Sequence, residues 1–198
     1  KDKNAAANTV FKYLQASENK LLTDNSLATG AGLFFGKINK PYSGIKVVEN
    51  YLRVTKKSSP KLEAYYMNLL FDAGLLDKAK DVNEKLANSA TKSFEVYNEL
   101  ANYEIKNENY PKARKYLEEG LKYYPNSVLL ILSYCDILFR EKSLDTLETN
   151  LKKVEALHSE RSPKFASDFY KLMGYAAAFR NKNDMATALF KKSIELYE

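Results

Sequence analysis

The sequence predicts an all-α chain built as a string of helix hairpins. Three observations carry this reading. Glycine and proline are scarce, 7 and 5 among 198 residues, too few for an all-β chain with its many turns. Apolar residues recur at three- and four-residue spacing along nearly the whole chain, and no segment alternates apolar and polar residues for long. A pattern of large and small apolar residues also returns about every 34 residues, the mark of a repeat architecture.

Each element follows from local signals. Ala6, Val10, Phe11 and Leu14 share one face of Ala5–Lys20, a leading helix within residues 4–22. Residues 25–59 carry Ala28, Ala31, Gly32 and Phe35, then Gly44, Val48 and Tyr51. Leu62–Phe71 follows Pro60, a residue suited to a first helical turn because its missing N–H would have no partner there. Asp72-Ala73-Gly74 stops that helix with a glycine in the C-cap region, and Asp77–Leu86 restarts the pattern. Phe94–Ile105 breaks at Lys106-Asn107-Glu108-Asn109. Tyr110-Pro111 opens a helix to Tyr124, and Pro125-Asn126 ends it. Val128–Arg140, Leu144–His158, Lys164–Phe179 and Asp184–Tyr197 complete the series. Helices of about 10–15 residues on short loops pack as antiparallel neighbours.

Composition narrows function by exclusion. No run of eighteen apolar residues occurs, so no membrane-spanning helix is expected. A single cysteine, Cys135, rules out an intramolecular disulfide and multi-cysteine metal sites, and a single histidine, His158, rules out a His-paired metal site. No cofactor is expected. Lys+Arg is 31 against Asp+Glu 25, a net charge of +6. The pairs Lys56-Lys57, Lys152-Lys153 and Lys191-Lys192 stand far apart with acidic residues between them. The concentrated basic footprint of a nucleic-acid binder is therefore missing. The lysine excess reads as the codon bias of an AT-rich genome. Lys1-Asp2-Lys3 begins abruptly, as if a targeting segment had been cleaved or left out, and the compartment stays open between cytosol and bacterial periplasm.

The segment from Phe94 to Ser127 reads Tyr97, Leu100-Ala101, a polar break, Tyr110-Pro111-Lys112-Ala113, Leu117, Gly120 and Tyr124-Pro125-Asn126. It resembles a tetratricopeptide repeat, in which small residues of two antiparallel helices face each other. Ala101 and Ala113 take those places, so the backbones approach closely. The same spacing runs through 25–59, 60–93, 128–166 and 167–198, giving five hairpins after the leading helix in a single repeat domain, 1–198. Glu63 and Asn83 stand where the family has apolar residues, and Leu147 replaces a small one, which should splay its pair. The resemblance implies a right-handed α-α superhelix, with first helices lining a concave face and second helices a convex one. Tyr97, Tyr134 and Tyr170 are one-period equivalents, read as core tyrosines whose hydroxyls reach solvent or backbone.

Reactive chemistry finds little support. Gly30-Ala31-Gly32 with Gly36 has no preceding strand and is not a phosphate loop. Ala28, Gly32 and Gly36 at four-residue spacing instead predict a close helix contact. Cys135 falls at a small first-helix position and reads as a buried thiol, and His158 reads as a helix C-terminal cap. No Ser/His/Asp set can be assembled, and Glu118-Glu119 and Asp81/Glu84 read as surface charges, so no enzyme is expected.

The groove implied by the resemblance carries Asn68, Asp72, Glu95, Asn98, Asn102, Lys106, Asp136, Arg140, Lys171 and Tyr175. Its amides suit the backbone of an extended peptide. The lysine–asparagine–arginine set with which the chaperone-binding subfamily grips a C-terminal carboxylate is incomplete, because Ala64, Glu95 and Ser133 occupy its places. Near the end of the chain Leu189, Ile194 and Tyr197 lack a following helix, so the natural chain is expected to continue or to pack there on another copy. The expected function is a non-catalytic scaffold binding a peptide, helix or partner protein. The alternative is a recognition or regulatory module of a larger bacterial envelope-assembly or enzyme complex, and an RNA-binding array is the third reading.

Overall fold

The computed structural model describes residues 12, 23–90, 92–157 and 163–197. The expected leading helix and His158 lie outside them. The described residues form ten helices: α1 (Asn25–Lys37), α2 (Pro41–Thr55), α3 (Pro60–Asp72), α4 (Leu76–Ala87), α5 (Phe94–Lys106), α6 (Tyr110–Tyr123), α7 (Val128–Arg140), α8 (Leu144–Ala156), α9 (Pro163–Phe179) and α10 (Asn183–Tyr197). No strand occurs among the described residues. The chain divides into two compact units, Lys1–Tyr103 and Glu104–Glu198.

Helix starts follow from sequence. Asp24 caps α1, its carboxylate accepting from the Ser26 and Leu27 N–H groups. Ser59 caps α3 ahead of Pro60, and Ser127 caps α7. The turn inside each hairpin is the same motif five times. Asn39, Gly74, Glu108, Lys142 and Asn181 all have positive φ, between 57° and 76°. The N–H of the following residue reaches back to the carbonyl five residues earlier in every case: Lys40 to Phe35, Leu75 to Leu70, Asn109 to Glu104, Ser143 to Leu138 and Lys182 to Ala177, at 2.8–2.9 Å. This is the Schellman closure of a helix C-terminus, which satisfies carbonyls that the helix leaves over. Glycine adopts this conformation without cost at Gly74, and asparagine tolerates it at two turns, whereas Glu108 and Lys142 carry a Cβ in a left-handed backbone.

In the first unit α1 packs on α2 and α3, α2 packs on α3, and α3 packs on α4. Leu69 is the pivot. A Cβ at Gly44 would lie 2.9 Å from its methyl, at Gly36 3.4 Å and at Gly32 3.6 Å, so three glycines admit one leucine between two helices. The contact expected of Gly32 and Gly36 is therefore present, with Gly44 as its tightest member. Glu63 and Asn83, polar where the repeat is apolar, are accommodated differently. Glu63 accepts from Lys85 at 2.6 Å, and Asn83 is buried.

In the second unit α7 packs on α6, α8 and α9, α8 packs on α9, and α9 packs most extensively on α10. Val128, Leu130, Ile131, Cys135, Ile137 and Leu138 make α7 the buried spine. Leu147 is completely buried with Leu151 and Val154. The α9–α10 pair is close enough for Ser167 and Ser193 each to donate to the other's backbone carbonyl at 2.8 Å. A Cβ on Gly174 would stand 2.6 Å from the Phe190 ring. Glu104, buried, is neutralised by Lys112 at 2.7 Å and accepts from Asn109 at 3.1 Å, as a buried carboxylate requires.

The equivalent tyrosines share a feature that spacing did not announce. Lys92 stands over the ring of Tyr97 at 5.7 Å, Arg114 over Tyr134 at 5.7 Å and Lys192 over Tyr170 at 4.2 Å. Tyr97 and Tyr134 are buried and Tyr170 is half-buried. The Tyr134 hydroxyl donates to Glu118 at 3.0 Å and accepts from Arg114 at 3.2 Å, a side-chain partnership in place of solvent or backbone.

Candidate functional site

The first unit brings three first helices together on one face. Lys61 on α3 pairs with Glu95 on α5 at 2.7 Å. One helical turn on from Lys61 along α3 is Tyr65, within electrostatic reach of both Glu95 and Glu99. Burial, then the Glu99 and Glu95 charges, push its hydroxyl up to about 12. Two turns on, Asn68 donates to the Glu99 carboxylate at 3.0 Å and to its carbonyl at 3.2 Å. Asn98 donates to the other Glu99 oxygen at 3.2 Å. Beside this strip a cleft of about 300 Å³ opens between α1 and α3, walled by Asn25, Thr29, Gly30, Leu33, Lys61 and Tyr65. Burial raises the Glu95 carboxyl, but hydrogen bonds from Lys61, Ser93 and its own backbone N–H, together with the Lys61 charge, hold it below its ordinary value.

The residues singled out from sequence fall in different settings. Asn68 and Asn98 are buried and donate their amide N–H groups to Glu99, while the buried Asn68 Oδ1 has no hydrogen-bond partner among the described residues. Glu95 and Asn102 are half-buried on α5, and Asp72 is exposed at the end of α3. In the second unit Lys106 is exposed, Asp136 pairs with Arg140 at 2.9 Å, and Lys171 pairs with Asp168 at 3.0 Å. The Arg140 guanidinium lies over the Tyr110 ring at 5.5 Å. Tyr175 stacks on Phe139 at 4.4 Å, with Phe179 edge-on to Phe139 at 5.5 Å. Leu189 is half-buried and Ile194 is 60% exposed, while the Tyr197 side chain lies outside the described ones. Sequence reasoning missed Lys61, Tyr65, Glu99 and Phe139. The period could have found the first three: Lys61 and Glu95 occupy equivalent places 34 residues apart, as do Tyr65 and Glu99.

Among the described residues no group of three or more His, Cys, Asp or Glu side chains could hold a metal, and no helix is long and apolar enough to cross a membrane. Cys135 is buried, and burial and then Asp136 push its thiol up to about 12.

Residues 94–127 match the tetratricopeptide-repeat family. The fold is that of the tetratricopeptide-repeat proteins. A chain of the APC/C hetero-tetramer Cut9–Hcn1 superposes with a TM-score of 0.74 at 13% identity, over 98% of this chain and 37% of that one. A tetratricopeptide-repeat protein of Parabacteroides merdae gives 0.72 at 14% identity, over 98% and 72%. TTC0263 of Thermus thermophilus gives 0.69 at 16% identity, over 87% and 91%. These likenesses share the fold. A curated relative, the mRNA 3′-end-processing protein RNA14 of Saccharomyces cerevisiae, is 32% identical over 126 residues. That match takes in 61% of this chain, which spans 18% of RNA14. Tetratricopeptide arrays are scaffolds for protein–protein interaction, offering the open faces of stacked hairpins to their partners.

Proposed function

We propose that this tetratricopeptide-repeat chain is a non-catalytic scaffold whose first unit holds an extended peptide carrying a basic side chain. The observation that supports the reading is the placement of Glu95 and Glu99 one turn apart beside Tyr65, with the cleft against α1 as the adjoining space. Glu95, Glu99 and the exposed Asp72 bring three carboxylates to this face, with Lys61 paired to the first. Carboxylate oxygens accept more than one hydrogen bond, so Glu99 can receive a lysine or arginine while it keeps Asn68 and Asn98. Tyr65 offers a flat ring to the peptide's aliphatic portions.

Fluorescence anisotropy with synthetic extended peptides that differ only in a central Lys, Glu or Ala tests this. The Lys peptide is expected to bind at least about tenfold tighter than the Glu peptide, a difference of about 1.4 kcal/mol. Tyr65→Phe, which keeps the ring, should leave the Lys peptide bound, while Tyr65→Ser should weaken it by a similar factor. Equal binding of the Lys and Glu peptides would rule out the acidic face as the determinant. A second reading, a recognition module within a larger RNA-processing assembly, is favoured by the match to RNA14. It predicts that the tagged chain co-purifies from its source with identified 3′-end-processing proteins.

A further inference from the structure

The net charge of +6 is not spread evenly along the chain. Adjacent lysine pairs are scattered, but the excess itself sits in one hairpin, which counting pairs does not show. Residues 25–59, which hold α1 and α2, carry Lys37, Lys40, Lys46, Arg53, Lys56 and Lys57 against the single carboxylate of Glu49. Residues 1–22 add four lysines against two carboxylates. Helical spacing gathers this charge on one side of α2. Tyr42, Lys46, Glu49 and Arg53 follow at steps of four, three and four residues, opposite the buried Gly44, Ile45, Val48 and Tyr51. Lys37 and Lys40 flank the start of the row at the hairpin turn, and Lys56 and Lys57 continue it past the helix end. At 1.5 Å per residue, the row from Lys40 to Lys56 is about 24 Å long.

The cations are uncommitted and the acid is not. Glu49 accepts from the Tyr66 hydroxyl at 2.8 Å and has Lys78 at 3.9 Å. None of the six cations meets a carboxylate at ion-pair distance among the described residues, and Arg53 donates to the neutral amide of Asn50 at 2.6 Å. All but Lys40 are exposed. Neighbouring elements do not cancel the excess. Helix α4, which supplies Lys78, carries three lysines and three carboxylates, and the Asp24 carboxylate is taken up by the cap of α1. Tyr42, one turn before Lys46, is 65% exposed. Its hydroxyl donates to the Ala73 carbonyl at 2.8 Å, which fixes an open ring at the head of the row.

We infer that this row binds the phosphate backbone of a single-stranded nucleic acid, with Tyr42 as the stacking platform for one base. A backbone charged at every nucleotide meets cations strung along a helix without needing a matched counter-surface. An exposed ring stacks on any base, because every base has a π-face. A folded acidic protein would need an apolar anchor at the centre of the contact. A membrane surface would need apolar side chains to enter it. Between Lys46 and Arg53 the outward face offers Glu49 and Asn50 instead. This surface on α2 shares no residue with the acidic strip on α3 and α5.

The test uses the whole chain and three fluorescein-labelled probes of equal length: oligo-uridine, its abasic sugar-phosphate counterpart and poly-glutamate. Anisotropy at low salt should show oligo-uridine binding at least about tenfold tighter than poly-glutamate. Its log affinity should fall against log salt with a slope of about −3, as four phosphate contacts require. The abasic probe should bind several-fold more weakly than oligo-uridine, and Tyr42→Leu should remove that difference. Lys46→Gln/Arg53→Gln, both at exposed positions, should weaken oligo-uridine about tenfold and make the slope shallower by about 1.4, with an unchanged melting temperature. Lys115→Gln/Lys122→Gln removes the same charge from two exposed positions of α6 and should leave binding within about twofold. The inference is overturned if oligo-uridine does not bind at low salt, if poly-glutamate or phosphatidylserine vesicles bind as tightly, if the abasic probe binds as well as oligo-uridine, or if the α6 variant loses as much affinity as the α2 variant.

Discussion

Glu108 and Lys142 sit in left-handed backbone at the turns of their hairpins, where the equivalent places hold Asn39, Gly74 and Asn181. A side chain with a Cβ costs about 1 kcal/mol or more there. Glu108→Gly and Lys142→Gly should each stabilise the chain by about 0.5–1 kcal/mol, since glycine's greater freedom when unfolded returns part of the gain. Urea unfolding with an unchanged m-value checks this. Cys135 is the opposite case, a position read correctly from its place in the repeat. Its thiol is buried and held far above the ordinary range, so iodoacetamide at pH 8 should leave it unmodified until urea unfolds the chain. Of the three tyrosines that the period marks as core, Tyr97 and Tyr134 are buried and Tyr170 is half-buried at the last hairpin. The cation over each ring was not legible from the period, because Lys92, Arg114 and Lys192 come from three different places relative to their tyrosines and share no spacing.

At the scale of elements, the eight helices α3–α10 start and stop within two residues of where caps, prolines and periodicity put them, and Val128–Arg140 agrees at both ends. The reason is local: Ser59-Pro60, Tyr110-Pro111 and Asp72-Ala73-Gly74 write their boundaries into adjacent residues. Contacts between helices are less legible, since they depend on which neighbour fills a gap. Gly174 shows this. The repeat marks it as a small position, but only the structure shows the Phe190 ring filling the space a Cβ would take. Gly174→Ala should cost about 1–3 kcal/mol through this overlap. Adding Phe190→Leu should recover part of the loss, a coupling that a double-mutant cycle measures. The acidic strip on α3 and α5 was half legible for the same reason. Glu95 was singled out alone, and its significance lies in Lys61 and Glu99, which a single helix does not reveal.

For the molecule as a whole, titration should bound stability on both sides. Glu118 is held below its ordinary value, first by its bond from Arg114 and, against the opposing effect of burial, by Tyr134. Glu95 is likewise depressed. Depressed carboxyls favour the folded chain above the ordinary carboxylate range and lose that contribution as pH falls through their folded values. Cys135 and Tyr65, both raised to about 12, act in reverse. They favour the folded chain below the ordinary thiol and phenol values, and that contribution is lost as pH rises from 9.0, the ordinary thiol value, towards about 12. Melting temperature plotted against pH should therefore show a plateau around neutrality with a fall on each side. Glu118→Gln should lower the plateau and make the acid limb shallower. Function follows a comparable division of legibility. The expectation of no membrane-crossing helix needed only apolar run lengths, while the strip of Lys61, Tyr65, Glu95 and Glu99 emerged only when helices from successive hairpins were set side by side.

The five left-handed turns have a consequence for how such a chain can be lengthened or cut. They recur every 34–35 residues from Asn39 to Lys142, but Asn181 follows 39 residues later. The surplus falls outside the turn, mostly in α9, 17 residues long against 13 in α7, while the turn inside the hairpin keeps its geometry. One extra residue within a Schellman turn would rotate the next helix by about 100° and throw its apolar stripe off the core. The hairpin turns should therefore accept no guest domain or new termini: a single glycine inserted after Lys142 should lower the melting temperature sharply.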